Sequence, residues 1–178
     1  MKPKPLFIAE CHFDTLLIEI IMKWKPKDFD HVNGTELFTA MYKRNKGNRG
    51  ITVGIFDKNK KMRESVYISQ FKVEDVNNGI QWLKHPDIHD QHILYLFDGA
   101  EEWFLEAARQ TQISPISYEI PEKLDKFKRR TKKLTIRQDN KMYQFIKAVV
   151  RENPPQVQTL RNYILAIFGE QLNSTIAG

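Results

Sequence analysis

The chain has 178 residues, 41% apolar and 28% charged, which is enough for one folded domain with a proper core or a domain with an appendage. No apolar stretch is long enough to span a membrane, and Glu10 and Asp14 interrupt the apolar run behind Met1-Lys2-Pro3-Lys4-Pro5, so neither a membrane anchor nor a signal peptide is expected. The lone Cys11 excludes an internal disulfide and fits a cytoplasmic location, and the net charge of +6 is concentrated in residues 123–141, where nine Lys and Arg stand against Asp125 and Asp139.

In chain order, Leu6–Ala9 is an apolar run that stops at Glu10 and reads as a buried strand. Asp14–Trp24 carries Leu16, Leu17, Ile20, Ile21 and Trp24 at helical spacing, with Asp14 or Thr15 as cap and Pro26 beyond its end. Phe29–Val32 is a short second strand. Thr35 caps a helix bearing Leu37, Phe38, Met41 and Tyr42, which Lys46-Gly47-Asn48 closes. Ile51–Phe56 is β-branched and apolar, as a strand covered on both faces should be, and it ends on Asp57. Residues 58–72 are polar, with Val66–Phe71 extended, and Val73–Leu83 reads as a helix. Ile93–Phe97 is the next buried strand and ends on Asp98. Ala100–Gln110 is helical, with Trp103, Phe104 and Ala107 on one face, and Pro115–Ile120 is a fifth strand. Two further helices, Asn140–Val150 and Gln156–Leu172, follow the basic segment, with Asn153 as cap of the second.

Strands alternating with helices imply an α/β fold with a parallel sheet, whose ligands bind beyond the carboxyl ends of the strands. With strand order 2-1-3-4, Glu10 and Asp57 face each other across the switch point and Asp98 lies one strand further. Three acids in that arrangement suit a hard divalent cation such as Mg²⁺.

The layout resembles a TOPRIM domain, the catalytic core shared by topoisomerases, bacterial primases and several nucleases. Its marks are a glutamate after strand 1, in a Glu-Gly-x-x-Asp setting, and an Asp-x-Asp after strand 3. This chain reads Glu10-Cys11-His12-Phe13-Asp14 at the first and Asp57-Lys58-Asn59 at the second. The run Phe97-Asp98-Gly99-Ala100-Glu101-Glu102-Trp103-Phe104-Leu105 also resembles small stand-alone TOPRIM-like proteins. The resemblance covers residues 5–120, within a Rossmann-like, three-layer α/β core assigned to residues 1–120, and leaves 121–178 as a basic segment with a two-helix C-terminal extension. It implies Glu10 as the catalytic acid/base, Asp57, Asn59 and Asp98 as metal ligands, and Mg²⁺ or Mn²⁺ as cofactor for nuclease-like processing of DNA or RNA. Cys11 stands where the family has Gly, and Asn59 where it has the second Asp. The alternative is a degenerate site in a non-catalytic nucleic-acid-binding or protein-interaction module, as a partner-bound protein or homo-oligomer.

The basic segment offers Lys126, Lys128, Arg129, Arg130, Lys132, Lys133 and Arg137 for phosphate contact; its plain reading is a solvated face. Acids at strand ends likewise serve as ordinary polar loop residues. His85, His89 and His92 have spacings of four and three, but Pro86 argues against the helix a shared metal would need. Cys11 beside His12 lacks an orienting third group, so a small buried thiol is the simpler reading. A phosphoacceptor receiver domain would need an acid pair after strand 1, Ser or Thr after strand 4 and Lys-Pro after strand 5, where this chain has Asp98 and Ile120-Pro121.

Overall fold

The computed structural model describes residues 6–24, 29–31, 34–46, 50–57, 66–88 and 90–169. Its centre is a six-stranded mixed sheet in the order β2-β1-β3-β6-β5-β4, built from β1 (Leu6–Ala9), β2 (Phe29–His31), β3 (Thr52–Asp57), β4 (Lys72–Asn77), β5 (Ile80–Lys84) and β6 (Gln91–Leu96). β1, β2, β3 and β6 are parallel, while β5 runs antiparallel to β6 and β4 antiparallel to β5. No helix among the described residues is long and apolar enough to cross a membrane.

Strand alternation sorts the core into two layers. Phe7, Val53, Ile55, Leu94, Leu96 and Ile80 point to one face, and Ile8, Phe56, Ile93 and Leu83 to the other. The first face is covered by α1 (His12–Met22), α3 (Ala100–Gln110), α4 (Leu124–Thr131), α5 (Asn140–Glu152) and α6 (Pro155–Phe168). Met41 of α2 (Gly34–Lys46) and the 3₁₀ turn Ile68–Gln70 cover the second. Four buried rings from four helices meet on the first face. Phe13 stands edge-on to Phe104 at 6.1 Å and to Phe127 at 5.7 Å, and Phe145 stands edge-on to Phe104 at 5.6 Å. Residues 124–168 therefore share the hydrophobic core of the sheet.

Several elements differ from the sequence reading. Val73–Leu83 is not a helix but the greater part of the β4–β5 hairpin. Its two-residue turn is Asn78-Gly79, both with positive φ (45° and 74°), the pattern that matches the twist of the flanking strands. Val66–Phe71 is a turn and a 3₁₀ helix rather than an extended segment. Pro115–Ile120 is a 3₁₀ turn, Pro115–Tyr118, instead of a fifth strand, because Ser114 caps it by accepting the Ile116 N–H and Pro115 favours the first helical position. Asn153 does not start α6. It ends α5 in the left-handed conformation, with φ 54°, and Pro154 leads into α6.

Candidate acidic site at the sheet edge

The parallel strands β1 and β3 end at the rim where α1 and α3 begin. Ala9 lies opposite Ile55 and Asp57 opposite Leu96, so Glu10, Asp57 and the turn after β6 reach the same edge. At this edge α1 is capped by Cys11, not by Asp14 or Thr15. The Cys11 sulfur accepts the Asp14 N–H at 3.4 Å, and Asp14 Oδ2 accepts the Cys11 N–H at 3.1 Å, a reciprocal capping box. Cys11 has φ −138° and ψ 164°, ordinary extended backbone, so this chain has no need of glycine there. Burial and the neighbouring Asp14 carboxylate push the Cys11 thiol far up, which keeps it a neutral cap rather than a nucleophile.

At the start of α3, Gly99 has no side chain with which to cap, and Asp57 supplies the cap from the neighbouring strand. Its Oδ1 accepts the Ala100 N–H at 2.9 Å. Gly99 has φ +87°, and a Cβ there would stand 3.2 Å from Asp57 Oδ2. Both the backbone angle and the close carboxylate therefore require glycine.

Glu10 is 8% exposed, Asp14 2% and Glu101 5%, while Asp57 is half-buried. Burial first, then the negative charges of Asp57, Glu101 and Glu10, hold Asp14 well above the usual carboxylate range, against the lowering effect of its bond to Cys11. Asp14 Oδ1 is buried with no hydrogen-bond partner among the described residues. Three carboxylates thus act on Asp14 here. Sequence reasoning placed Glu10 and Asp57 at this edge but took Asp14 for a cap and passed over Glu101. The signal lay in spacing, since Asp14 is one helical turn past Glu10 and Glu101 sits in the first turn after the Asp98-Gly99 bend.

The remaining site residues separate. Asp98 is exposed on the turn after β6, with φ 63°. Asn59 lies outside the described residues. Among the described residues no three His, Cys, Asp or Glu side chains are grouped to hold one metal ion. His85 and His92 are buried on opposite sides of the sheet. His85 Nε2 is 3.0 Å from Gln70 Oε1 beside Phe71, whereas His92 Nδ1 accepts the Trp82 Nε1–H at 3.2 Å; His89 is outside the described residues.

The basic segment divides as well. Thr131 Oγ1 donates to Glu101 Oε1 at 2.7 Å and Phe127 packs on Phe13, so α4 lies against the first turns of both α1 and α3. Lys126, Lys132 and Lys133 are exposed and Lys128 half-buried on or just after this helix. Arg129 pairs with Asp125 at 3.0 Å on the surface, a contact of small worth. Arg130 is spent internally: Nε and Nη2 grip Asp139 Oδ2 and Oδ1 at 2.7 and 2.9 Å, and Nη1 donates to the Glu119 carbonyl. Arg137 pairs with Glu19 and Lys141 with Glu119. Among the described residues, six cations of the stripe therefore stay available for phosphate: Lys123, Lys126, Lys128, Lys132, Lys133 and, through a weak pair, Arg129.

Comparison with protein-family models, curated proteins and solved structures found no match to this chain.

Proposed function

We propose that this chain is a TOPRIM-like α/β protein that cleaves nucleic-acid phosphodiesters with a divalent cation, Mg²⁺ or Mn²⁺, at the acidic sheet edge. The observation that carries the reading is the convergence of Glu10, Asp14, Asp57 and Glu101 where β1 and β3 end. Burial first, and then the charges of the other three, raise Asp14, and a cation would offset the charge part. Mg²⁺ needs only one or two protein carboxylates beside water and substrate phosphate, so Asp57 can serve as its protein oxygen donor. The order β2-β1-β3-β6 of the parallel strands supports the likeness.

When bound, the cation supplies stabilisation of charge on a phosphoryl group. Glu10 serves as the group that takes and returns a proton at the rim. Lys126, Lys128, Lys132 and Lys133 hold the strand through its phosphates, because α4 is moored to the first turn of α3. RNA and DNA incubated with the protein in Mg²⁺ or Mn²⁺ should be cut, with Glu10→Gln and Asp57→Ala each at least about 100-fold slower. No cleavage by the unaltered chain, or equal cleavage by the variants, overturns the proposal.

A second reading is a nucleic-acid-binding module without catalysis. It is favoured by the commitment of Asp57 Oδ1 and Asp14 Oδ2 to helix caps. Under it, the same cleavage assay is blank while Lys126→Glu, Lys132→Glu and Lys133→Glu together abolish salt-dependent binding.

A further inference from the structure

Behind the acidic edge, α1 and α5 leave a groove of about 1000 Å³ along their carboxyl-terminal halves. α1 has 11 residues, so its far end lies about 16 Å from the acids at its start. Four cations line the groove: Lys23, Lys147, Arg151 and Arg161. Its one lining carboxylate, Glu19, is neutralised by Arg137. Arg161 donates to the neutral Asn153 side chain, and Arg151 meets Glu152 at 3.5 Å in an exposed pair of little strength. The lining is thus electropositive with no acid of its own to spare.

Three aromatic residues share the lining. Trp24 is fixed against Phe7 and Phe168, and Tyr118 against Phe145. Tyr143 differs: it is 39% exposed on α5, one and two helical turns before Lys147 and Arg151. Lys147 and Arg151 are like charges one turn apart, which repel, and lysine is depleted from the core of protein interfaces; the stripe of ring and two cations gains from a partner that brings anions. It suits a ligand with flat apolar faces and regularly spaced anions. Single-stranded nucleic acid has both, and the stacked bases of a duplex could not reach the ring.

We propose that the α1–α5 groove binds single-stranded nucleic acid without sequence preference. Lys23, Lys147, Arg151 and Arg161 contact phosphates and Tyr143 stacks on a base, over about four nucleotides. The proposal does not rest on cleavage at the acidic edge, because binding is measured with the metal chelated.

The test is fluorescence anisotropy of short labelled oligo(dT) and oligo(rU) probes in EDTA across a salt series. Saturable binding is expected, weakened about tenfold or more by Lys147→Glu with Arg151→Glu, whose salt slope falls by about two. Tyr143→Ala should weaken it roughly fivefold or more, and Tyr143→Phe should restore it. Arg109→Glu, outside both the groove lining and the basic stripe, should change it little, and circular dichroism should show every variant folded. Absence of saturable binding, binding unaltered by the groove variants, or equal, groove-dependent affinity for a duplex overturns the proposal.

Discussion

Thr131 donates a 2.7 Å hydrogen bond to the buried carboxylate of Glu101, a contact that ties the basic helix α4 to the first turn of α3. Thr131→Val keeps the shape and leaves that carboxylate oxygen one donor short. A buried acceptor that loses its donor costs about 1–3 kcal/mol. Urea unfolding should show that loss for Thr131→Val and recovery of most of it for Thr131→Ser.

Gly99→Ala should be worse than a usual glycine replacement in a turn. The φ of +87° is in a region side chains rarely adopt, at a cost of about 1–3 kcal/mol, and the new methyl would meet Asp57 Oδ2 at 3.2 Å. The carboxylate that caps α3 must move. Thermal unfolding should fall by several degrees, about 2–4 °C for each kcal/mol in a chain of this size. Under the proposed function, cleavage should fall with it.

Under the proposed function, a divalent cation at the acidic edge would bind the folded chain and not the unfolded one. At a concentration about 100 times its dissociation constant it adds about 2.7 kcal/mol, or roughly 5–10 °C in Tm. Differential scanning fluorimetry with Mn²⁺ should show this rise. Asp57→Asn keeps an acceptor for the Ala100 N–H but removes a charge, so it should fold normally and lose most of the rise. An equal rise in both proteins would place the cation elsewhere.

Asp139 is the pH-sensitive joint of the helical layer. The two-pronged grip of Arg130, with the Met142 N–H that Asp139 also accepts, holds its carboxyl below the usual range. Because the folded value is depressed, the stabilisation is fully present above the unfolded value of about 3.9 and is lost as pH falls through the lower folded value. Asp139→Asn keeps the helix cap and should cost about 1.5–3 kcal/mol at pH 7. The gap between the two proteins should close as the pH is taken down through the lowered folded value of Asp139. A gap that persists in strong acid would assign the loss to packing.

The α/β class was legible because β1, β3 and β6 are apolar runs that burial on both faces demands, and α3 carries a clean apolar stripe. The hairpin was not. Val73, Val76, Ile80 and Leu83 fall at spacings of three and four, which imitate a helix, although Val73 and Val76 are exposed on an edge strand. Asn78-Gly79 was the stronger local signal, since two positive φ angles in succession suit a hairpin turn and no helix interior. At the site, Glu10 and Asp57 could be placed from strand ends alone. Glu101 could not, because its burial depends on Thr131, thirty residues later in the chain. The same holds for Arg130 and Arg137, whose charges look free in sequence and are consumed by Asp139 and Glu19 only once the helices pack.

β4 forms one outer rim of the sheet, and all six of its residues are exposed. A bare rim of this kind ordinarily invites a strand from a second molecule. Here Lys72, Glu74 and Asp75 line it, and the pairing with β5 is irregular between Val73 and Asp75. Asp75 turns one oxygen onto the Val76 N–H at 2.8 Å and offers the other to the Tyr163 hydroxyl at 2.6 Å. One rim donor is already satisfied, and the strand is pinned to α6. The hairpin that widens the sheet thus also finishes it, leaving an edge poorly suited to templating fibrils or strand-exchanged dimers.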